Sequence, residues 1–168
     1  ISTGEGGMLL ARTAEHAARA RRVRDWGRDM TAGYDGYTWL DLGLNLRPTD
    51  IAAALGLVQM GRLQGFIDKR RANERHLAEG LAGLPCDVPP AQRGDEPAWY
   101  ARPVLTEARD GLIAAMGKAG VETRRLLCGN VTRQPVAKGV GPPSSWPAAD
   151  DAWRRGLWLP VHPLLTAD

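Results

Sequence analysis

Two side chains in the first third of the chain are of types that can hold a phosphate group. Asn45 and Arg47 lie in a stretch rich in glycine and aromatic residues, directly before Pro48. An amide donates hydrogen bonds to anionic oxygens, and the guanidinium fork matches phosphate in a bidentate geometry. Taken alone, the pattern favours a simpler interpretation, in which Asn45 bends the loop and Arg47 lies on the surface.

A second polar group suits a ligand that carries hydroxyl and phosphate oxygens. Asn130, Arg133 and Gln134 follow a predicted strand, and their amide and guanidinium groups donate to such oxygens. The same residues are equally typical of a polar turn that satisfies its own backbone. His162 follows another apolar run and either ends a strand or contacts a substrate.

The cysteines and the remaining histidines lack the spacing of metal ligands. Cys86 and Cys128 lie far apart without a Cys-x-x-Cys partner, so neither a metal ribbon nor a disulfide framework is predicted. His16 and His76 are isolated as well. We therefore predict no metal site.

Composition and charge are those of a globular domain, with 43% hydrophobic and 24% charged residues. The apolar runs are too short for a bilayer and no basic-then-apolar leader opens the chain. We therefore expect no membrane partner and predict a cytoplasmic location. Arginines are spread along the chain rather than concentrated among aromatics, so no nucleic-acid partner is expected.

The longest predicted element is a helix over residues 51–81. Pro48-Thr49-Asp50 gives a strong start signal, and apolar residues then recur at helical spacing. At about 1.5 Å per residue this helix is on the order of 45 Å long. A helix of that length typically bridges two lobes of a protein.

Shorter elements are predicted on both sides of this helix. Before it come a strand over 8–11, a helix from a Thr13 cap to about Arg24, and a long ordered loop over 31–47. After it, the order strand–helix–strand–loop–helix–strand predicts a small α+β lobe. Its elements are strands 98–105, 121–128 and 157–161, helices 108–120 and 148–155, and loop 139–147.

Three segments, in this order, resemble the DegT/StrS-type sugar-nucleotide aminotransferases, which have the aspartate-aminotransferase fold. They are Ile-Ser-Thr-Gly-Glu-Gly-Gly-Met at 1–8, Gly-Leu-Asn-Leu-Arg-Pro-Thr-Asp-Ile-Ala-Ala-Ala-Leu-Gly-Leu at 43–57, and Leu-Pro-Val-His-Pro-Leu-Leu-Thr at 159–166. The implied fold class is α/β: an α+β fragment that forms the C-terminal part of such a fold. The implied domains are a remnant of the large cofactor-binding domain (1–50), the connecting helix (51–82) and the small C-terminal domain (83–168).

The resemblance also implies a cofactor, pyridoxal 5′-phosphate or pyridoxamine 5′-phosphate. Schiff-base chemistry needs a lysine amine, but Lys69 and Lys118 lie on predicted helices and Lys138 in a loop. By the family pattern the catalytic lysine or histidine lies two residues upstream of Ile1.

Residues of this chain take their expected roles from the same resemblance. Asn45 and Arg47 match residues that reach across a homodimer interface toward the cofactor phosphate of the other subunit. A sugar nucleotide is the expected substrate. The candidate substrate-binding residues are Asn130, Arg133, Gln134 and His162.

Two further segments resemble one subgroup, the CDP-hexulose 3-dehydrases of deoxysugar pathways. They are Arg-Asp-Trp-Gly-Arg-Asp at 24–29 and Leu-Cys-Gly-Asn-Val-Thr-Arg-Gln-Pro at 127–135. In that subgroup a histidine replaces the lysine, and the iron–sulfur members carry a cysteine-rich stretch soon after the first segment. Here that place, 30–35, holds no cysteine, so no iron–sulfur cluster is expected.

The sequence thus predicts part of an enzyme that aminates or dehydrates a keto-deoxysugar nucleotide, in deoxysugar, lipopolysaccharide or antibiotic-sugar biosynthesis. The alternative is a non-catalytic protein, either a degenerate remnant or a binding domain without the cofactor site. Both remain open from the residues of this chain.

Overall fold

The computed structural model describes residues 1–29, 31, 37–138 and 146–166. The chain folds into two compact units, Ile1–Leu63 and Gln64–Asp168. The cysteine-free segment 30–35 and the predicted loop 139–147 lie largely outside the described residues. Within the described ranges, no helix combines the length and the apolarity that a membrane crossing needs.

Helix α1 (Ala14–Arg24) confirms the predicted helix after Thr13. The Thr13 side chain accepts a hydrogen bond from the backbone amide of His16 at 3.1 Å. This bond satisfies one of the amides that a helix start leaves without an intrahelical partner. The last turn carries Arg21, Arg22 and Arg24, whose charge is favourable at the negative end of the helix dipole.

Helix α2 (Asp50–Leu81) confirms the long predicted helix. Its 32 residues correspond to about 48 Å. Thr49 supplies the start signal, because its hydroxyl accepts a hydrogen bond from the Ala52 amide at 3.2 Å. Asp50 in the first turn adds a favourable charge at the positive end of the dipole.

The predicted strand over residues 8–11 is wrong. The backbone there has no regular secondary structure, and Met8 and Leu10 are 88% and 92% exposed. A strand exists only where a neighbouring strand takes its backbone hydrogen bonds. No described strand lies beside these residues.

The segment after α1 pairs with the ordered loop that precedes α2. Isolated antiparallel bridges join Asp25 to Asn45 and Arg28 to Trp39. The Asp29 amide also donates to the Thr38 carbonyl at 2.7 Å. The predicted ordered loop over 31–47 is therefore confirmed for its described part, where backbone pairing rather than a regular period supplies the order.

Two glycines allow these backbones to approach each other. Gly27 has φ +80°, and a Cβ placed on it would lie 1.7 Å from the Asp41 carbonyl oxygen. A Cβ on Gly43 would lie 2.2 Å from the Gly27 nitrogen. Only glycine fits either position without displacing backbone.

The second unit contains a three-stranded antiparallel sheet of order β1–β3–β2. β3 is central and pairs Leu157 with Val104 of β1 and with Arg125 of β2. The strands are β1 (Ala101–Leu105), β2 (Arg124–Arg125) and β3 (Gly156–Pro160), accompanied by helices α3 (Arg109–Lys118) and α4 (Pro147–Arg155). This order confirms the predicted α+β lobe.

Strand β2 is much shorter than the predicted strand 121–128. Of the described residues in that range, Arg124 and Arg125 pair with β3 in register, and the Leu126 amide adds a hydrogen bond to the Gly156 carbonyl at 3.3 Å. Leu127 has φ +43° and Gly129 has φ +57°, so the backbone turns out of an extended conformation directly after the pairing.

The core of this unit lies on one face of the sheet. Val104, Leu157 and Leu159 are at most 3% exposed and form one cluster. Burial of each such side chain contributes about 1.5–3 kcal/mol. The partly buried residues packed against it are Leu77, Leu81, Cys86, Val88, Leu112, Ile113 and Met116.

Candidate functional site

Asn45 and Arg47 lie on a short extended stretch that runs antiparallel to the end of α1. The Trp26 amide donates to the Leu44 carbonyl at 3.1 Å, and the Leu46 amide donates to the Arg24 carbonyl at 2.9 Å. These bonds fix the stretch on both sides of Asn45. The position of both candidate residues is therefore set by backbone pairing rather than by a free loop.

A buried carboxylate lies beside Arg47. Asp25 is 3% exposed, and its Oδ1 lies 3.4 Å from Arg47 Nε. Its Oδ2 accepts a hydrogen bond from Arg28 at 3.0 Å. The Arg47 guanidinium also lies over the Trp26 ring, 4.4 Å from its centroid. We call Asp25, Trp26, Arg28 and Arg47 the Asp25 cluster.

The backbone at Trp26 is strained. Its φ of +58° is left-handed, a conformation that bulky residues rarely adopt and that costs about 1–3 kcal/mol. Trp26 is followed by Gly27, also left-handed. The two residues together turn the chain out of α1 and put the indole ring against Arg47.

The cluster carries a net positive charge, because two guanidiniums face one carboxylate. The Arg47 side chain is 48% exposed, and Asn45 is exposed as well. No side chain or carbonyl of the described residues accepts a hydrogen bond from the terminal nitrogens of Arg47. The donor set therefore fits an anionic oxygen ligand such as phosphate.

Asn130 and Arg133 meet at one carboxylate in the second unit. Asn130 is 3% exposed, and its amide nitrogen donates to Asp150 Oδ1 at 2.8 Å. Its amide oxygen accepts from both the Thr132 amide and the Thr132 hydroxyl. Arg133 donates to both oxygens of Asp150, at 2.8 and 3.0 Å. These hydrogen bonds, from Arg133 first and Asn130 second, hold the pKa of Asp150 below its usual range.

This geometry fits the alternative of a polar turn that satisfies its own groups. Among the described residues, the Gln134 side chain contributes one long contact, from its amide nitrogen to the Cys128 carbonyl at 3.4 Å. The substrate-binding role of Asn130, Arg133 and Gln134 stays a prediction.

His162 lies apart from that turn, in an open groove of about 290 Å³ within the second unit. Its ring nitrogen Nδ1 accepts a hydrogen bond from the Leu164 amide at 3.2 Å. Its carbonyl accepts from the Asn73 side chain at 2.7 Å. The structure thus separates His162 from the other three candidate residues, and its substrate role also stays a prediction.

The groove contains aromatic and basic residues that the sequence interpretation missed. Tyr100 and Trp158 pack edge to face with their centroids 6.0 Å apart, and Arg70 lies 5.8 Å from the Tyr100 centroid. Strand alternation gives a signal for Trp158, because its neighbours Leu157 and Leu159 are buried on the opposite face. No comparable signal exists for Arg70, which reaches the groove from α2.

The helix and the α+β lobe match known proteins over the whole chain. The model of the DegT/DnrJ/EryC1/StrS aminotransferase family matches residues 1–168. This match and the superposition on the structure of Streptomyces venezuelae DesV confirm the predicted fold class, the C-terminal part of an aspartate-aminotransferase-type fold. The chain belongs to the DegT/DnrJ/EryC1/StrS aminotransferase family.

Three relatives illustrate the match. The lipopolysaccharide biosynthesis protein RfbH of Salmonella typhimurium is 29% identical, over 100% of this chain and 46% of the relative. The dTDP-4-dehydro-2,6-dideoxy-D-glucose 3-dehydratase of Saccharopolyspora spinosa is 32% identical, over 99% of this chain and 42% of the relative. The crystal structure of Streptomyces venezuelae DesV in complex with a ketimine intermediate superposes with a TM-score of 0.81 at 29% identity, covering 94% of this chain and 42% of DesV.

The chain spans less than half the length of these relatives. Similar proteins include dTDP- and GDP-sugar aminotransferases and 3-dehydratases. One solved structure with the same fold, that of the E. coli GDP-4-keto-6-deoxy-D-mannose-3-dehydratase, contains bound hydrated pyridoxal phosphate. The predicted resemblance is therefore confirmed.

Proposed function

We propose that this chain forms the C-terminal part of a pyridoxal- or pyridoxamine-phosphate-dependent enzyme that acts on a keto-deoxysugar nucleotide. The family match along all 168 residues carries this proposal. The relatives include transaminases and 3-dehydratases, so both reactions belong to the proposal. The domains 1–50, 51–82 and 83–168 also belong to it; the observed compact units divide within α2, after Leu63.

Within that enzyme, Asn45 and Arg47 bind the cofactor phosphate. Three observations support this role. Both residues are exposed, and the Asp25 cluster has a net positive charge. No described residue accepts a hydrogen bond from the terminal nitrogens of Arg47, so these nitrogens are available to a ligand. When bound, the cofactor supplies the electron sink for the reaction. The role of this chain is to hold its phosphate and so orient its ring.

The site is completed by a second copy of the chain, in a homodimer. The first unit exposes apolar side chains that a partner subunit would cover: Leu42 is 99%, Ile51 78% and Leu57 77% exposed. The resemblance implies that the catalytic lysine or histidine of the complete protein lies two residues upstream of Ile1. Lys69 lies within α2, Lys118 is the last residue of α3, and Lys138 follows the 3-10 turn Pro135–Ala137, so none of them is proposed as the cofactor lysine.

The sugar nucleotide contacts the second unit. The groove beside His162 offers aromatic faces and basic side chains, which suit a base and a diphosphate. The other proposed contacts are Asn130, Arg133 and Gln134. Asn130 and Arg133 already donate hydrogen bonds to Asp150, so substrate binding requires that these donors be shared between Asp150 and the substrate.

Cofactor affinity of the complete protein tests the phosphate role. Arg47→Ala removes a charge-assisted hydrogen bond of about 1.5–3 kcal/mol, which weakens affinity roughly 10- to 100-fold. Asn45→Ala costs less, about 0.5–1.5 kcal/mol. Arg19→Ala is the matched control, because Arg19 is 70% exposed and pairs with Asp41 rather than Asp25; its affinity should equal that of the wild type.

Mixed dimers test the cross-subunit arrangement. Arg47→Ala mixed with a variant of the catalytic residue should regain activity, because one site per mixed dimer then has both native contributions. Unchanged affinity in Arg47→Ala together with no regain would refute the phosphate role. A complete protein that binds no cofactor would instead support the non-catalytic alternative.

The products distinguish the two reactions. Transamination consumes an amino donor and yields an amino sugar nucleotide, whereas dehydration yields a product lighter by one water. Mass spectrometry of the sugar nucleotide after incubation with glutamate separates these outcomes.

A further inference from the structure

We propose that Asp25 and Trp26 are positioning residues that hold the Arg47 guanidinium in its phosphate-binding orientation. The inference rests on the proposed phosphate role of Arg47 and extends it to two residues that do not themselves contact the ligand. The observation that carries it is that the half-exposed Arg47 side chain has a buried carboxylate on its Nε edge and an indole ring on its face.

The carboxylate acts along one edge of the guanidinium. Asp25 Oδ1 lies 3.4 Å from Arg47 Nε and has no hydrogen-bond partner among the described residues. A buried oxygen without a partner is costly, and a small shift of Arg47 would close this contact. Because the carboxylate lies on the Nε side, and no described residue accepts a hydrogen bond from the two terminal nitrogens, these nitrogens can form a fork toward phosphate.

The indole ring acts on the face. Trp26 stands 4.4 Å from the Arg47 guanidinium carbon and is placed there by its left-handed φ of +58°. Strain of this kind persists where the surrounding structure over-determines it, and it clusters at functional sites. Here the surrounding structure includes the close approach of Gly27 and Gly43, where an added Cβ would meet backbone atoms.

The consequence for binding is pre-organisation. An unrestricted arginine side chain loses rotamer freedom when it binds a ligand, and a side chain whose rotamer is already restricted loses less. Arg28 keeps Asp25 from cancelling the charge of Arg47, because it donates to the other carboxylate oxygen at 3.0 Å. The cluster can therefore fix Arg47 and still present a net positive charge to phosphate.

The test compares two probes that differ only in phosphate: pyridoxal 5′-phosphate and pyridoxal. Both are titrated into the cofactor-free complete protein, and the ratio of the two affinities reports the phosphate contribution. Trp26→Leu should lower this ratio about two- to twelvefold, and Trp26→Phe should recover part of it because a ring face remains. Trp39→Leu is the indole control, since Trp39 packs against Tyr37 rather than Arg47.

Asp25 is tested in a double-mutant cycle. Asp25→Asn should lower the ratio in the wild-type background and have no effect in the Arg47→Ala background, because its action runs through Arg47. A merely structural role would weaken both probes equally and leave the ratio unchanged. If Asp25→Asn fails to fold, the same cycle is run with Trp26→Leu.

The outcomes separate this inference from the proposed function. If Arg47→Ala leaves the ratio unchanged, the phosphate role itself is wrong. If Arg47→Ala lowers the ratio but Trp26→Leu and Asp25→Asn do not, Arg47 binds phosphate without help and only the positioning inference is overturned. An undiminished effect of Asp25→Asn in the Arg47→Ala background overturns it as well.

Discussion

Replacement of Gly27 by alanine should loosen the pairing that positions Arg47. The change imposes a left-handed φ on a residue with a Cβ, which costs about 1–2 kcal/mol. The new Cβ would also lie 1.7 Å from the Asp41 carbonyl oxygen. Because that atom is backbone, it cannot rotate away, and the overpacking adds about 1–3 kcal/mol. The expected total is about 2–5 kcal/mol.

Hydrogen exchange of individual amides is the appropriate assay, since a chain with two compact units need not unfold in one transition. The Leu40 amide donates to the Gly27 carbonyl at 2.8 Å, and the Trp26 amide donates to the Leu44 carbonyl at 3.1 Å. Both should exchange about 30-fold faster or more in Gly27→Ala.

Gly83→Ala is the matched control. Gly83 has φ +79°, almost equal to that of Gly27, but no heavy atom lies within 4 Å of a Cβ there. It should therefore show the conformational cost alone, with exchange of the Leu84 amide about 5- to 30-fold faster. If Gly27→Ala accelerates its amides no more than Gly83→Ala accelerates that of Leu84, the close approach to Asp41 has no energetic weight and the reasoning fails.

Two further predictions concern the second unit. Leu157→Ala should lower the free energy of unfolding of this unit by about 2–5 kcal/mol in urea, because Leu157 is 0% exposed. The control Leu164→Ala, at an 83% exposed position, should change that free energy by no more than about 0.5 kcal/mol. Equal effects of the two substitutions would show that Leu157 does not belong to the core. Arg133→Ala should raise the pKa of Asp150 toward its ordinary value in a carboxyl NMR titration, since the Arg133 hydrogen bonds are the largest cause of its lowering. A carboxyl group whose pKa is lowered in the folded state stabilises the fold at pH values above its ordinary pKa, and this stabilisation is lost as the pH falls through the folded-state pKa. The stability gap between Arg133→Ala and the wild type should therefore close in acid. A gap independent of pH would contradict this.

Local signals in the sequence determined the helices. A threonine cap precedes both α1 and α2, and apolar residues recur at helical spacing along α2. A helix takes its hydrogen bonds from its own residues, so its existence and start can be predicted from a short stretch. The segments at 1–8, 43–57 and 159–166, taken in order, likewise carried the resemblance to the family.

Strands depend on partners that the local sequence does not contain. Residues 8–11 have the composition of a strand yet pair with no described neighbour. The second predicted strand is reduced to Arg124 and Arg125, the two residues that pair in register with β3. The alternation that marks β3 succeeds because both of its neighbours are present within the second unit.

The candidate site shows the same division. The resemblance in the sequence singled out Arg47, but the tertiary structure brings Asp25 and Trp26 against it. Backbone pairing between the end of α1 and residues 44–46 brings these separate positions together. The sequence also grouped Asn130 with His162, and folding separates them. Residue type determines which chemistry is available, whereas the approach of separate segments decides which side chains act on one ligand.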